Sequence, residues 1–244
     1  MNLFIEILVS LIISSVPFLI YFKSKDRNRE KFISSILSST ILLIGCLIRM
    51  VYIEVYPIGL NQDESSIGYE AYSVLNYGID RNGQSFPIHF IAWGSGQNAL
   101  YGYLIIPFIK MFGVSNFSLR FPMALIGCIT LLVSYFLFRK AFDDYKGVIM
   151  LFIIAIIPWH ILKSRWGLES NLFPDLIFYA LTLLYFGVAT NKKRYYILAS
   201  VILGLATYSY GTSYLFVPVF LIITYLYLIL IKKLLLKMGY YIFV

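Results

Sequence analysis

The chain has 244 residues, of which 60% are hydrophobic and 13% charged, with a formal net charge of +8 and a mean hydropathy of +0.80. A soluble domain of this length cannot hide so much apolar surface, so the composition excludes a water-soluble enzyme and points to several membrane-crossing helices. The positive charge does not call for nucleic acid, because basic loops held at anionic lipid headgroups account for it.

A bilayer core of about 30 Å needs roughly 20 apolar residues per helical span. In chain order the apolar runs cover 2–22, 32–56, 117–138, 147–162, 173–189 and 195–231. The first is too long, and its basic flank too late, for a cleaved signal peptide. The last is long enough to turn back once near Tyr210-Gly211-Thr212, which makes about seven spans. Cys46 and Cys128 fall inside apolar runs, where a small buried thiol is the default reading.

Basic residues gather in four groups: 23–31; Arg139, Lys140 and Lys146; Lys192, Lys193 and Arg194; and Lys232, Lys233 and Lys237. Short cytoplasmic loops collect Lys and Arg, and all four groups share that side only if the 99–112 segment does not cross. That segment is short and carries Pro107 and Lys110, so it reads as an interfacial or re-entrant helix. The expected organisation is two N-terminal spans over 1–56, an extracytoplasmic loop over 57–116, and further spans over 117–244. The fold class is all-α, a polytopic transmembrane helix bundle with an outer loop of interfacial helices, placed in the cytoplasmic membrane.

The 57–116 loop is the only sizeable polar stretch, and it holds Asp63, Glu64, Glu70 and Asp80. Ile67, Ala71, Val74 and Leu75 recur at helical spacing from about Ser65, with Tyr69, Tyr72 and Tyr77 suited to the headgroup layer. On these residues alone Asp63 is an N-cap and Glu64 a favourable first-turn charge. Adjacent residues do not share a helix face, so the pair is not by itself a two-carboxylate site. Arg49 and Glu54 lie near one end of their run and are expected to pair or snorkel. Trp159 and His160 read as interfacial residues.

The run Asn61-Gln62-Asp63-Glu64-Ser65-Ser66-Ile67-Gly68-Tyr69-Glu70-Ala71-Tyr72 resembles the first-loop acidic motif of membrane glycosyltransferases that use polyprenyl-phosphate sugars, relatives of dolichyl-phosphate-mannose-protein mannosyltransferases and of the bacterial aminoarabinose transferase. The similarity continues through 78–87, 99–103, 112–122, Pro158-Trp159-His160 and 164–171, in order and at similar spacing. The resemblance implies an outer active site and transfer of a sugar from a polyprenyl-phosphate donor to a hydroxyl acceptor, with inversion. It makes Asp63 the base and gives Glu64 a supporting or metal-binding role. Arg165 and Arg120 become candidates for the donor phosphate, which guanidinium grips with paired bonds. Tyr69, Gln97, Asn98, Tyr101, Glu169 and Asn171 are the further substrate-binding candidates, and Trp93 and Tyr72 further walls of a cleft.

One departure matters. Many relatives carry a lysine before the interfacial helix, where this chain reads Gly94-Ser95-Gly96-Gln97-Asn98-Ala99. His89 and His160 lack ligand spacing, so no metal site is assigned, and a divalent cation such as Mg or Mn stays open. Relatives continue into more spans and an outer domain, so the chain is expected to be an N-terminal part. A transporter or flippase of lipid-linked sugars and an inactive fragment are the alternatives. The clear spans are nearly free of midplane charge and show no internal repeat, both of which speak against a transporter.

Overall fold

The computed structural model describes residues 2–26, 28–92, 94 and 96–230. Trp93 and the last basic group, Lys232, Lys233 and Lys237, lie outside the described residues. The architecture is helical, as expected, with one ladder of two two-residue strands among the described residues. Among the described residues four helices are long and apolar enough to span a bilayer: α1 (Asn2–Lys23), α2 (Arg29–Met50), α5 (Asn116–Ala141) and α8 (Glu169–Thr190). A fifth span forms if α6 (Asp144–Ile156) and α7 (Pro158–Ser164), bent by 58° at their junction, count as one. The expected final turn is present, since α9 (Lys193–Ala206) and α10 (Ser213–Leu230) are separated by a short break. At 14 residues α9 is short for a span, which is where the helix lengths part company with the six apolar runs read as about seven spans.

Two compact units divide the chain. The first comprises 1–65 and 107–167. Its core is built from Leu42, Cys46 and Met50 of α2, Phe117, Phe121, Cys128 and Leu131 of α5, and Leu151 and Ala155 of α6. Both cysteines are buried free thiols. The second unit comprises 66–106 and 168–244. There α3 (Gln62–Tyr77), entering from the first unit, buries Ile67, Ala71 and Val74 and leaves Tyr69, Tyr72 and Tyr77 exposed, the two faces its spacing predicts. The strands β1 (His89–Phe90) and β2 (Gln97–Asn98) pair antiparallel, and α4 (Leu100–Phe112) follows at once. Gly102 has no side chain to meet the Phe90 ring, which a Cβ would approach to 2.7 Å. In the same unit α8 and α9 pack around Leu184, Tyr196 and Ala199, and Ile177 and Ala180 meet Leu203, Ala206 and Val217.

Two helix ends differ from the sequence reading, each for a visible reason. The second apolar run stops being helical at Met50 rather than near Tyr56, because Tyr52 adopts a left-handed φ of 56°. The fourth run breaks before Pro158, whose ring nitrogen has no proton for the carbonyl of Ile154 and pushes Ile157 out of helical ψ. Arg49 fills that gap. Its guanidinium donates to the Ile154 and Ala155 carbonyls at 3.3 and 3.1 Å, to Gly45 at 2.9 Å, and through Nε to His160 Nδ1 at 3.1 Å. The expected pairing of Arg49 with Glu54 is therefore corrected: Arg49 is fully buried against the break, while Glu54 accepts from Asn2 Nδ2 at 2.8 Å. His160 is likewise buried and hydrogen-bonded to Arg49 of α2, while Trp159 beside it is 60% exposed.

Candidate active site

The N-terminus of α3 is built by a local device legible in hindsight. The spacing Asn61-x-x-Glu64 forms a reciprocal cap, in which Asn61 Oδ1 accepts from the Asp63 N–H at 2.8 Å and Glu64 Oε2 accepts from the Asn61 N–H at 3.0 Å. Asn61, not Asp63, thus supplies the capping oxygen, because the helix begins three residues earlier than its apolar spacing suggests. Asp63 stands in the first turn with its side chain exposed, whereas Glu64 on the adjoining face is completely buried.

Burying a carboxylate is costly unless a cation and enough donors meet it, and Glu64 has both. Arg120 of α5 donates from Nε to Oε1 and from Nη2 to Oε2, each at 2.9 Å, the paired geometry that suits guanidinium and carboxylate. The Gly167 N–H adds a bond to Oε1 at 2.7 Å. Each Glu64 oxygen therefore accepts two hydrogen bonds. The remaining Arg120 protons go to the carbonyls of Ile53, Pro57 and Gly59. The pair joins the start of α3, the 53–59 turn, α5 and the residues after α7 into one corner of the first unit.

Arg165 sits at the end of α7 and donates to the carbonyls of Ile48, Val51, Tyr52 and Tyr56 at 2.6, 2.9, 3.3 and 3.0 Å. These include acceptors left over at the end of α2, where a cation also suits the helix dipole. Desolvation pulls the Arg165 pKa below its ordinary value, and Glu6 opposes that shift. The partly buried Arg165 guanidinium, held by four carbonyls, and the buried Arg120 guanidinium, held by Glu64, both serve as clamps on the 48–59 backbone.

The other candidates belong to the second unit. Gln97 and Asn98 form β2 and are buried, with His89 Nδ1 lying 3.2 Å from Asn98 Oδ1. Gly96, at φ 135°, makes room for the His89 ring, which a Cβ there would approach to 2.2 Å. Tyr101 is fully buried in α4, and Tyr69 is exposed beneath the Arg81 guanidinium, 5.5 Å from the ring centre. Glu169 and Asn171 are half-buried in the first turn of α8. Two acidic residues of the loop are engaged structurally in ways the sequence did not reveal. Glu70 forms an ion pair with Arg81, which also bonds Ser66, and Asp80 Oδ1 closes a turn on the N–H groups of Asn82 and Gln84 at 2.9 and 2.8 Å. Of the four loop carboxylates, Glu64, Glu70 and Asp80 are buried and only Asp63 is presented at the surface.

A divalent cation finds no ready ligand set. Among the described residues no three His, Cys, Asp or Glu side chains converge, and Glu64, the expected second carboxylate, has its oxygens filled by Arg120 and two backbone N–H groups. The residues present do not fit a metal centre at Asp63 and Glu64.

Comparison with curated proteins gives no match. The model of the family described as dolichyl-phosphate-mannose-protein mannosyltransferase matches residues 97–244, beginning at β2 and leaving Asp63 and Glu64 outside the matched stretch. That match takes in α4 through α10, more than half of the sequence, and on it the chain belongs to the dolichyl-phosphate-mannose-protein mannosyltransferase family, whose members are membrane glycosyltransferases.

Proposed function

We propose that this chain carries the donor-side chemistry of a glycosyltransferase that moves a sugar from a polyprenyl-phosphate donor to a hydroxyl acceptor at the outer face of the membrane. The single observation that carries the reading is the exposed Asp63 carboxylate at the N-terminal turn of α3, fixed by the saturated Glu64 and Arg120 pair next to it. In the proposed step an Asp63 oxygen takes the proton of the acceptor hydroxyl. The hydroxyl oxygen then attacks the anomeric carbon, the bond from that carbon to the phosphate oxygen breaks, and polyprenyl phosphate leaves with the electron pair. A single displacement inverts the anomeric centre. The leaving phosphate needs only charge and hydrogen-bond stabilisation, so one base and a set of donors suffice without a metal.

In the second unit, Gln97 and Asn98 stand where relatives carry a lysine and are neutral hydrogen-bond donors by residue type. Among the described residues Asn98 Nδ2 is buried with no hydrogen-bond partner. Incubating the purified protein with a panel of polyprenyl-phosphate sugars should release polyprenyl phosphate from at least one of them, read by mass spectrometry. No release from any donor, in the presence of hydroxyl acceptors, rejects the reading.

The orientation follows from charge. The basic groups between α1 and α2, α5 and α6, and α8 and α9 share one side if α4 does not cross, and 13 residues of helix reach only about 20 Å. Asn82 and Asn191 are both exposed, and the two native thiols are buried and should stay silent. A cysteine at Asn82 is expected to react with an impermeant thiol reagent in intact cells, and one at Asn191 only after lysis. The reverse pattern removes the outer active site.

A further inference from the structure

The mechanism proposed above makes no use of the most deeply buried cation in the first unit. Arg49 has no exposed surface, and two of its nitrogens, Nε and Nη2, lie 3.1 and 2.8 Å from His160 Nδ1. A guanidinium has protons to give and no lone pair to accept with. The lone pair must therefore be on Nδ1, and the imidazole is neutral with its own proton on Nε2. A protonated His160 would place an N–H against the guanidinium and join two cations in an apolar interior. The contact thus specifies both tautomer and charge.

What this imidazole holds is a short stretch of chain that ends at the candidate active site. His160 belongs to α7, and its carbonyl accepts from Ser164 Oγ at 2.6 Å one turn later. Ser164 packs so closely on α5 that a Cβ at Gly127 would come within 2.2 Å of its hydroxyl. Arg165 follows and clamps the end of α2; two residues on, the Gly167 N–H reaches Glu64 at 2.7 Å. From His160 to Gly167 the chain has a fixed anchor at each end and little slack between them. Proline at 158 has already broken the helical hydrogen-bond ladder between this piece and α6.

We propose that His160 is a positioning residue for the Glu64 corner. As a neutral acceptor for Arg49 it sets the placement of 158–167, and through the Gly167 N–H it fixes the carboxylate beside Asp63. The role in sugar transfer rests on the function proposed above; the structural coupling does not.

The test uses two substitutions and two readouts on the purified, detergent-solubilised chain. His160→Asn keeps an acceptor oxygen at the place of Nδ1, and His160→Leu keeps bulk without an acceptor. Hydrogen exchange followed by mass spectrometry over 165–168 reports the Gly167 N–H whether or not any sugar is transferred. His160→Leu should speed exchange there by about ten- to a hundred-fold, the scale of losing a hydrogen bond to a charged group, and should lower polyprenyl phosphate release by a similar factor. His160→Asn should restore both to within about three-fold of the wild type. An Asn variant as impaired as the Leu variant would mean that the imidazole itself is required and would overturn the proposal. Undiminished protection of Gly167 in His160→Leu would overturn it as well, whatever happens to transfer. If the wild type transfers no sugar at all, the exchange result still decides the coupling, so the two readings fail separately.

Discussion

Asp63→Asn should abolish most sugar transfer and leave the protein otherwise intact. An amide cannot take the acceptor's proton at neutral pH, and removing a general base costs on the order of a hundred- to ten-thousand-fold in turnover. The structure makes this substitution cleaner than the sequence alone suggested. Asp63 does not cap α3; Asn61 does, and the turn is held from the other side by Glu64. An exposed Asp-to-Asn change away from those contacts should alter stability by no more than about half a kcal/mol. Transfer rate and thermal midpoint should therefore separate, the first collapsing while the second barely moves. Near wild-type transfer by the Asn variant would take Asp63 out of the mechanism and leave the exposed carboxylate without a role.

Arg120→Leu should do the opposite and act first on folding. The substitution leaves Glu64 buried with two backbone donors and no cation, and it releases the carbonyls of Ile53, Pro57 and Gly59 as well. Breaking a buried ion pair by removing one partner costs about 3–5 kcal/mol. For a chain of this size that corresponds to a fall in thermal midpoint on the order of ten degrees, measurable in detergent at a fixed scan rate. Adding Glu64→Gln should recover part of the loss, since the variant then buries no unpaired charge, and the double substitution should be milder than the sum of the singles. An Arg120→Leu protein that melts with the wild type would show that the pair contributes nothing to holding the corner together. Activity should fall in both variants, because each loosens the turn that presents Asp63.

Much of the fold was legible because a bilayer imposes a long, crude code. Runs of apolar residues, basic clusters and the shortness of 99–112 are properties that survive without any tertiary knowledge, and the helices at Asn2–Lys23, Arg29–Met50, Asn116–Ala141 and Glu169–Thr190 lie where those runs lie. Helix ends were less legible. The end of α2 depends on a left-handed Tyr52 and on Arg165, more than a hundred residues away, collecting its carbonyls. Long-range partners were not legible at all. Nothing local to Arg120 distinguishes an anchor at a membrane surface from the counter-ion of Glu64, and nothing near Arg49 announces that its partners lie at 154, 155 and 160. Residue type indicated which groups were chemically capable, and only the packing divided them into clamps and an exposed acid. The Asn61-x-x-Glu64 cap is the exception, a contact whose spacing stood in plain view.

The gap before Pro158 carries a consequence for how this protein can change over time. The proline and Arg49 answer each other: the ring leaves two carbonyls without their helical donors, and the guanidinium occupies both. Restoring an ordinary residue at 158 would let the helix reclaim those oxygens and strand a permanent charge in an apolar interior, while losing Arg49 first would leave two naked acceptors and an unanchored His160. Neither position has a cheap single step away from its present identity. Lineages that keep one should keep the other, and those that abandon the kink should exchange residues 49, 158 and 160 together.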